Sequence, residues 1–251
     1  MRKVVFDCAP ELKVLYQDEH LVAIDKPSGL LVHRSEIDKR ETLFAIQLTR
    51  DQIGQRVYPI HRLDRPTSGV LLFALSSEVA RLMSEQLQAG GVKKQYMAVV
   101  RGYTPEALEI DYELKEILDK KSDKLAKKDK PPQSAQTLLK RLATAELPFA
   151  TGRYEKSRYS LVELTPVTGR KHQLRRHMAH IRHPIIGDTN HGDGKQNASA
   201  RTHLNLDRLA LVAKSLSFLH PVTQEQVCIQ ASLDEPIRQL FKLCGWQDWL
   251  F

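Results

Sequence analysis

"HRLDRPTSGVLLFAL" (residues 61–75) divides into a charged turn and a buried strand, and most of the fold is read outward from that division. Asp64 stands between Arg62 and Arg65, Pro66 and Ser68-Gly69 bend the chain, and an unbroken apolar run begins at Val70. Proline and glycine at such spacing mark a turn, and a short apolar run bounded by turn residues reads as a buried strand. On its N-terminal side, "LKVLYQDEHLVAIDKPSGLLVH" (12–33) gives two short apolar runs around a polar turn, then a second turn at Pro27-Ser28-Gly29. "TLFAIQLTRDQI" (42–53) has Leu43, Ile46 and Ile53 at helical spacing. On the C-terminal side, "SSEVARLMSEQLQAG" (76–90) predicts a helix with Ser76 as N-cap, Val79, Leu82, Met83 and Leu87 on one face, and Gly90 at its stop.

A strand "KKQYMAVVRG" (93–102) follows, and then residues 115–132, where seven lysines and four acids predict an exposed insertion. Four further strands are expected in "AQTLLKRLATAEL", "SRYSLVELTPV", "RLALVAKSLSFLH" and "EQVCIQA". "GRKHQLRRHMAHI" interrupts them with helical spacing, and "DEPIRQLFKLCGW" predicts a closing helix. Helices and strands interleave without regular βαβ alternation, which favours an α+β fold with a mixed sheet.

Composition sets the outer bounds. The 251 residues, 41% hydrophobic and 27% charged, suffice for one large domain, and a formal charge of +8 favours an anionic partner. Cys8, Cys228 and Cys244 have no CxxC spacing, so neither a disulfide framework nor a zinc finger is expected. The N-terminus lacks a signal-peptide core and no apolar run reaches membrane-span length, so the cytoplasm is the expected location.

Three groups of residues carry possible chemistry. Asp64, beside two guanidinium groups, is expected to be ionised at neutral pH, fit to act as nucleophile, base or ligand. The alternative is an ordinary Arg–Asp pair in a surface turn. Pro66 excludes the aspartyl-phosphate pattern, the aspartic-protease triplet is absent, and Ser68 has no nucleophile elbow around it. A glycosidase would need a second acid, and none stands in a comparable motif. In "TGRKHQLRRHMAHIRHP" (168–184), Arg170, Lys171, Arg175, Arg176 and Arg182 gather in a stretch free of acids from Leu164 to Gly187. If helical from about Lys171, it buries Leu174, Met178 and Ile181 and sets His172, Arg175, Arg176 and Ala179 on a neighbouring face. His177, His180 and His183 raise the question of a metal, but the surrounding cations argue against one, and a phosphate-binding helix is the better reading. Tyr96 is either a core residue or a flat face for a base; spacing does not choose.

Together these motifs resemble the RluA-type pseudouridine synthases. "HRLDRPTSGVLLFA" matches that family's aspartate signature, "DKPSG" (25–29) its "NKPSG", "KKQYMAVVRG" its tyrosine motif and "TGRKHQLRRHMA" its arginine motif. "HPIIGD" (183–188) and "SLSFLHPVT" (215–223) fit as well, so the resemblance runs in order from about residue 12 to 232. One departure is "LVA" (211–213), where relatives often carry "LHA".

The resemblance implies a pseudouridine synthase fold: a mixed, mostly antiparallel sheet flanked by helices, with a cleft between two subdomains. It implies a single catalytic domain with no preceding RNA-binding module. It implies Asp64 as the catalytic aspartate, Tyr96 as the ring against the target uracil, Arg175 as the partner of Asp64, and Arg62 as the side chain entering the RNA as the base leaves. His61, Arg65, Arg170, His172 and Arg176 are expected on the RNA-binding side. The substrate implied is tRNA, at uridine 65, by base flipping; an rRNA substrate and a non-catalytic RNA-binding protein are the alternatives. Uridine and pseudouridine are isomers, so no cofactor and no metal are expected, and a monomer without a protein partner is expected.

Overall fold

A computed structural model of the chain describes residues 11–34, 41–116, 131–152 and 154–250. Most of the expected lysine-rich insertion, with Lys120, Lys121 and Lys124, lies outside these residues, as does Cys8.

The described elements are β1 (Val14–Gln17), β2 (Leu21–Lys26), α1 (Ala45–Ile53), β3 (Tyr58–Pro59), β4 (Ser68–Ala74), α2 (Ser77–Gln88), β5 (Lys93–Arg101) and β6 (Ala107–Asp111). They continue with β7 (Gln136–Leu147), β8 (Ser157–Pro166), α3 (Gln173–His180), α4 (Gly194–His203), β9 (Leu211–Leu219), β10 (Gln226–Gln230) and α5 (Glu235–Leu243). The strands form one sheet in the order β1-β2-β4-β9-β5-β8-β7-β6, with β10 on β9 and β3 on β4. Every pairing is antiparallel except β4 with β9. The fold is α+β with a mixed sheet, as the sequence pattern predicts, and the sheet is mostly antiparallel, as the family resemblance implies.

β4 reads as a continuous apolar run because both of its faces are covered. Leu71 and Phe73, with Val22 and Ile24 of β2, pack in a cluster with Ala45 and Leu48 of α1. Val70, Leu72 and Ala74, with Leu21 and Ala23, pack in another with Val79 and Met83 of α2. A third and larger core lies in the other half of the sheet, where β5, β8 and β9 meet α3, α4 and α5.

The halves join where β4 and β9 pair at Ser68–Val212 and Gly69–Ala213. Gly69 is required there: its φ is +110°, and a Cβ would fall 2.2 Å from the Ala213 carbonyl oxygen. Only glycine permits both the conformation and so close an approach. The Thr-Ser-Gly motif therefore serves as the joint between the halves, and Asp64 sits four residues ahead of the strand it begins. Val212, at the "LVA" departure, is buried at that same joint.

Two expectations need adjustment. The basic helix starts at Gln173, later than Lys171, because His172 adopts the left-handed conformation (φ 55°, ψ 27°) and ends the incoming loop. Its buried residues include Leu174 and Met178 as expected, with Ile181 packed against the same core, but also Arg175 and His177. Helix α4 had no sequence expectation. Its "GKQNASARTH" buries only Asn197 and Ala200 and has no apolar stripe to betray it, although Asp193 caps it by accepting from the Lys195 and Gln196 amides.

Candidate active site

The loop carrying Asp64 is clasped to the turn Pro27-Ser28-Gly29. The Gly29 amide donates to the Arg65 carbonyl (2.8 Å), Ser28 Oγ to the Pro66 carbonyl (2.8 Å) and Arg65 Nε to the Gly29 carbonyl (3.0 Å). Beneath them lies Lys26, fully buried, whose Nζ donates to the carbonyls of Pro27 (2.8 Å), Leu30 (2.8 Å) and Arg65 (3.2 Å). Burial, reinforced by the charges of Arg208 and Arg65, pushes its pKa down to about 7, with Asp64 acting in the opposite sense. Within the loop the Thr67 amide donates to the Asp64 carbonyl, and Ser68 Oγ accepts from Arg208. The carboxylate thus projects from a backbone fixed on both sides.

Arg175, from α3, reaches Asp64 across 111 residues of sequence: its Nη1 donates to Oδ2 at 3.1 Å. The guanidinium is buried and is aimed by Asp188, which accepts from Nε (2.7 Å) and Nη2 (2.8 Å) in a two-pronged pair. Asp188 is itself held by the Asn190 and His191 amides (2.9 and 3.0 Å). Burial opposes the charge on both partners. The Asp188 hydrogen bonds and the two carboxylate charges nevertheless raise the Arg175 pKa, and Arg175 with the two amides lowers that of Asp188. Gly187, with φ +81°, lets the chain pass against Arg208, where a Cβ would fall 1.9 Å from the carbonyl oxygen. Asp188 has no role expected from the sequence; its position within "HPIIGD" is the available signal.

Tyr96 lies on β5, paired with Ala213 of β9 and Leu164 of β8, and packs against the cores of both halves. Burial first, and then the charge of Asp64, raise its pKa above the usual phenol range, so the hydroxyl keeps its proton. It is both a core residue and a neighbour of the carboxylate. His172 also faces the site, with Nε2 3.9 Å from Asp64 Oδ1 and Nδ1 2.9 Å from His191 Nε2.

The other expected RNA-side residues divide into two sets. Arg62 is exposed and makes no ion pair among the described residues. Arg170 is exposed and donates through Nε to the Ser134 carbonyl (3.0 Å), while Arg176 donates to the Lys115 carbonyl (2.9 Å). Arg65 and His61 turn inward instead. Arg65 pairs with Glu41 at 3.0 Å besides its bond to Gly29. His61 Nε2 accepts from the Leu72 amide (3.2 Å), and burial, with Lys94 nearby, lowers its pKa to about 4. Both therefore brace the loop and β4. The histidines of α3 are likewise engaged. His177 is buried between Thr137 Oγ1 (3.0 Å) and the Tyr112 carbonyl (3.1 Å), and His180 stacks on Tyr112.

A carboxylate, a fixed guanidinium and a half-buried tyrosine thus converge at the seam of the sheet, in the order in which the family motifs bring them. Residues 20–180 match the family model described as RNA pseudouridylate synthase. The chain belongs to the RNA pseudouridylate synthase family. It is 56% identical over 237 residues to the tRNA pseudouridine synthase C of Vibrio cholerae, covering 94% of this chain and 97% of that protein. It is also 56% identical to the Haemophilus influenzae protein of the same name, with 94% and 99% coverage. Among solved structures, human RNA pseudouridylate synthase domain containing 1 superposes with a TM-score of 0.71 at 22% identity, covering 96% of this chain and 90% of that one. At that identity the likeness speaks for the fold, which is the pseudouridine synthase fold. No helix among the described residues is long and apolar enough to cross a membrane.

Proposed function

We propose that this chain converts a uridine of tRNA, uridine 65, to pseudouridine, with Asp64 acting on the reacting nucleoside. The observation that carries the reading is the Asp64–Arg175 pair at 3.1 Å, set at the head of β4 beside Tyr96. The relatives that match over nearly the whole chain, named for tRNA, support the choice of RNA.

The isomerisation must break the N1–C1′ bond, turn the uracil and rejoin it through C5. Charge on the departing uracil spreads over its carbonyl oxygens, so the reaction does not need the strong acid of a glycosidase. Attack on the sugar, attack on the base and removal of a sugar proton all require one carboxylate held still against the nucleoside. The clasped loop and Arg175 supply that. Tyr96 offers the uracil a flat neighbour, and Arg62 enters the RNA as the base leaves. Phosphate contacts from Arg170 and Arg176 help offset the few kcal/mol that extrusion costs. The enzyme acts as a cytoplasmic monomer and requires no cofactor, since nothing is added to the substrate.

The test is tritium release from 5-tritiated uridine in tRNA and in rRNA. Wild-type protein should release tritium from tRNA, and Asp64→Asn should abolish release while leaving the fold intact by circular dichroism. Full activity in Asp64→Asn would sink the assignment of Asp64. Release from rRNA alone would move the substrate, and an RNA-binding wild type that releases nothing would leave a non-catalytic protein. Mapping pseudouridines in a deletion strain then identifies the position.

A further inference from the structure

Pseudouridine formation has a second requirement: C5 of the uracil must lose its hydrogen after it joins the sugar. We infer that the imidazole of His172, backed by His191, takes that proton. The inference rests on the function proposed above.

His172 is placed for the task from both sides. Its Nε2 faces Asp64 Oδ1 at 3.9 Å, so the ring borders the same space as the carboxylate without a hydrogen bond to it. Its Nδ1 lies 2.9 Å from His191 Nε2, a hydrogen bond between two imidazoles in which one nitrogen donates and the other accepts. The backbone at His172 is left-handed, a conformation that costs a non-glycine residue free energy and that recurs at functional sites. His191 is tethered in turn, because its amide donates to Asp188, the residue that aims Arg175 at Asp64. One carboxylate thereby fixes both the guanidinium and the second imidazole.

Two of the other groups at the seam, Arg175 and Tyr96, are poor acceptors. Arg175 stays protonated between two carboxylates, and the Tyr96 hydroxyl keeps its proton. The groups that face His172 are Asp64, which favours its charge, and Arg175, His191 and Lys171, which oppose it; burial opposes it most. Around His191, burial again leads, Asp188 and Asp64 favour charge, and Arg175 and Arg176 oppose it. Both rings therefore have pKa values below the ordinary imidazole value and offer a neutral base at pH 7.

The step balances. Once C5 has bonded to C1′, it carries both hydrogen and sugar, and the ring holds a C6–N1 double bond. His172 Nε2 takes the C5 proton, the C–H electron pair forms the C5–C6 double bond, and the C6–N1 π pair moves to N1. N1 takes a proton from water. His172 passes its Nδ1 proton to His191 Nε2, and His191 returns a proton to solvent.

The experiment is single-turnover pseudouridine formation on tRNA carrying 5-protio or 5-deutero uridine, with wild type, His172→Asn and His191→Gln. His172→Asn should slow the reaction about 100-fold, the lower end for loss of an acid–base group, and should enlarge the deuterium effect over that of wild type. The rise of the wild-type rate as the imidazole deprotonates should vanish from its pH profile. His191→Gln should give a smaller slowing of the same kind. A slowed His172→Asn with no enlarged isotope effect would overturn the inference, because a residue that only positions substrate does not make C5–H cleavage limiting. Unchanged rates would overturn it as well. If His172→Asn fails to fold, His191→Gln decides: a larger isotope effect supports the relay and an unaltered one overturns it. A wild type that makes no pseudouridine overturns the function itself, a result distinct from any defect confined to the variants.

Discussion

Asp188 grips Arg175 through two nitrogens, at 2.7 and 2.8 Å, and leaves the third to point at Asp64. The guanidinium and Asp188 are both buried, so the pair keeps its geometry only while both members are present. Removing one partner strands an uncompensated charge, which typically costs about 3–5 kcal/mol.

Asp188→Asn should therefore lower stability by an amount near that range and reduce kcat more than KM, since Asp64 loses an oriented partner while the outer RNA contacts remain. The pH dependence has a definite sign. The Asp188 pKa is depressed in the folded protein, so its stabilisation is present above the unfolded carboxylate value, about 3.9. It is lost as pH falls through the lower folded value. Urea denaturation from about pH 6 to about pH 3 should show a flatter loss for the variant than for wild type. An equally steep loss would mean that other carboxylates carry the acid sensitivity.

Lys26 gives the opposite slope. Its folded pKa of about 7 lies well below that of a solvated lysine, so between pH 7 and about 10.4 the unfolded chain binds the extra proton. Stability should rise with pH across that window, and the rise should be shallower in Lys26→Met, read from urea midpoints at about pH 7 and about pH 9.5. The variant also leaves the Pro27 and Leu30 carbonyls without their donor, at about 1–3 kcal/mol for each that stays dry, while the Arg65 carbonyl keeps the Gly29 amide. Turnover should fall because the clasp under Asp64 loosens. Wild-type turnover in Lys26→Met would show that the loop is rigid without it.

How much of this was legible depended on the physical signal each part leaves in sequence. β4 and α2 declare themselves through an apolar run and through the Ser76 cap, whose hydroxyl accepts from the Val79 amide as expected. Asp64, Tyr96 and Arg175 came from motif resemblance, and the structure brings them to one seam. Asp188 and Lys26 escaped because long-range pairing leaves no periodicity: a buried acid and a buried lysine look like surface residues until their partners are seen. Arg65 and His61 show the converse, a bracing role that the motif does not announce. Adjacency to Asp64 suggested a shared role, yet a turn sends successive side chains in different directions.

That divergence separates two arginines that sequence alone treats alike. Arg62 is exposed, whereas Arg65 is tied to Glu41 and to the Gly29 carbonyl. Arg62→Ala should leave the unfolding midpoint unchanged, weaken tRNA binding and reduce the slope of log affinity against log salt by about 1, if it meets one phosphate. Arg65→Ala should do the reverse: lower the urea midpoint, cut turnover through a disordered Asp64 loop, and leave the salt slope intact. Measuring both properties in both variants is decisive because the expectations cross. A reduced salt slope in Arg65→Ala would return that residue to the RNA surface, and a lost midpoint in Arg62→Ala would make it part of the scaffold.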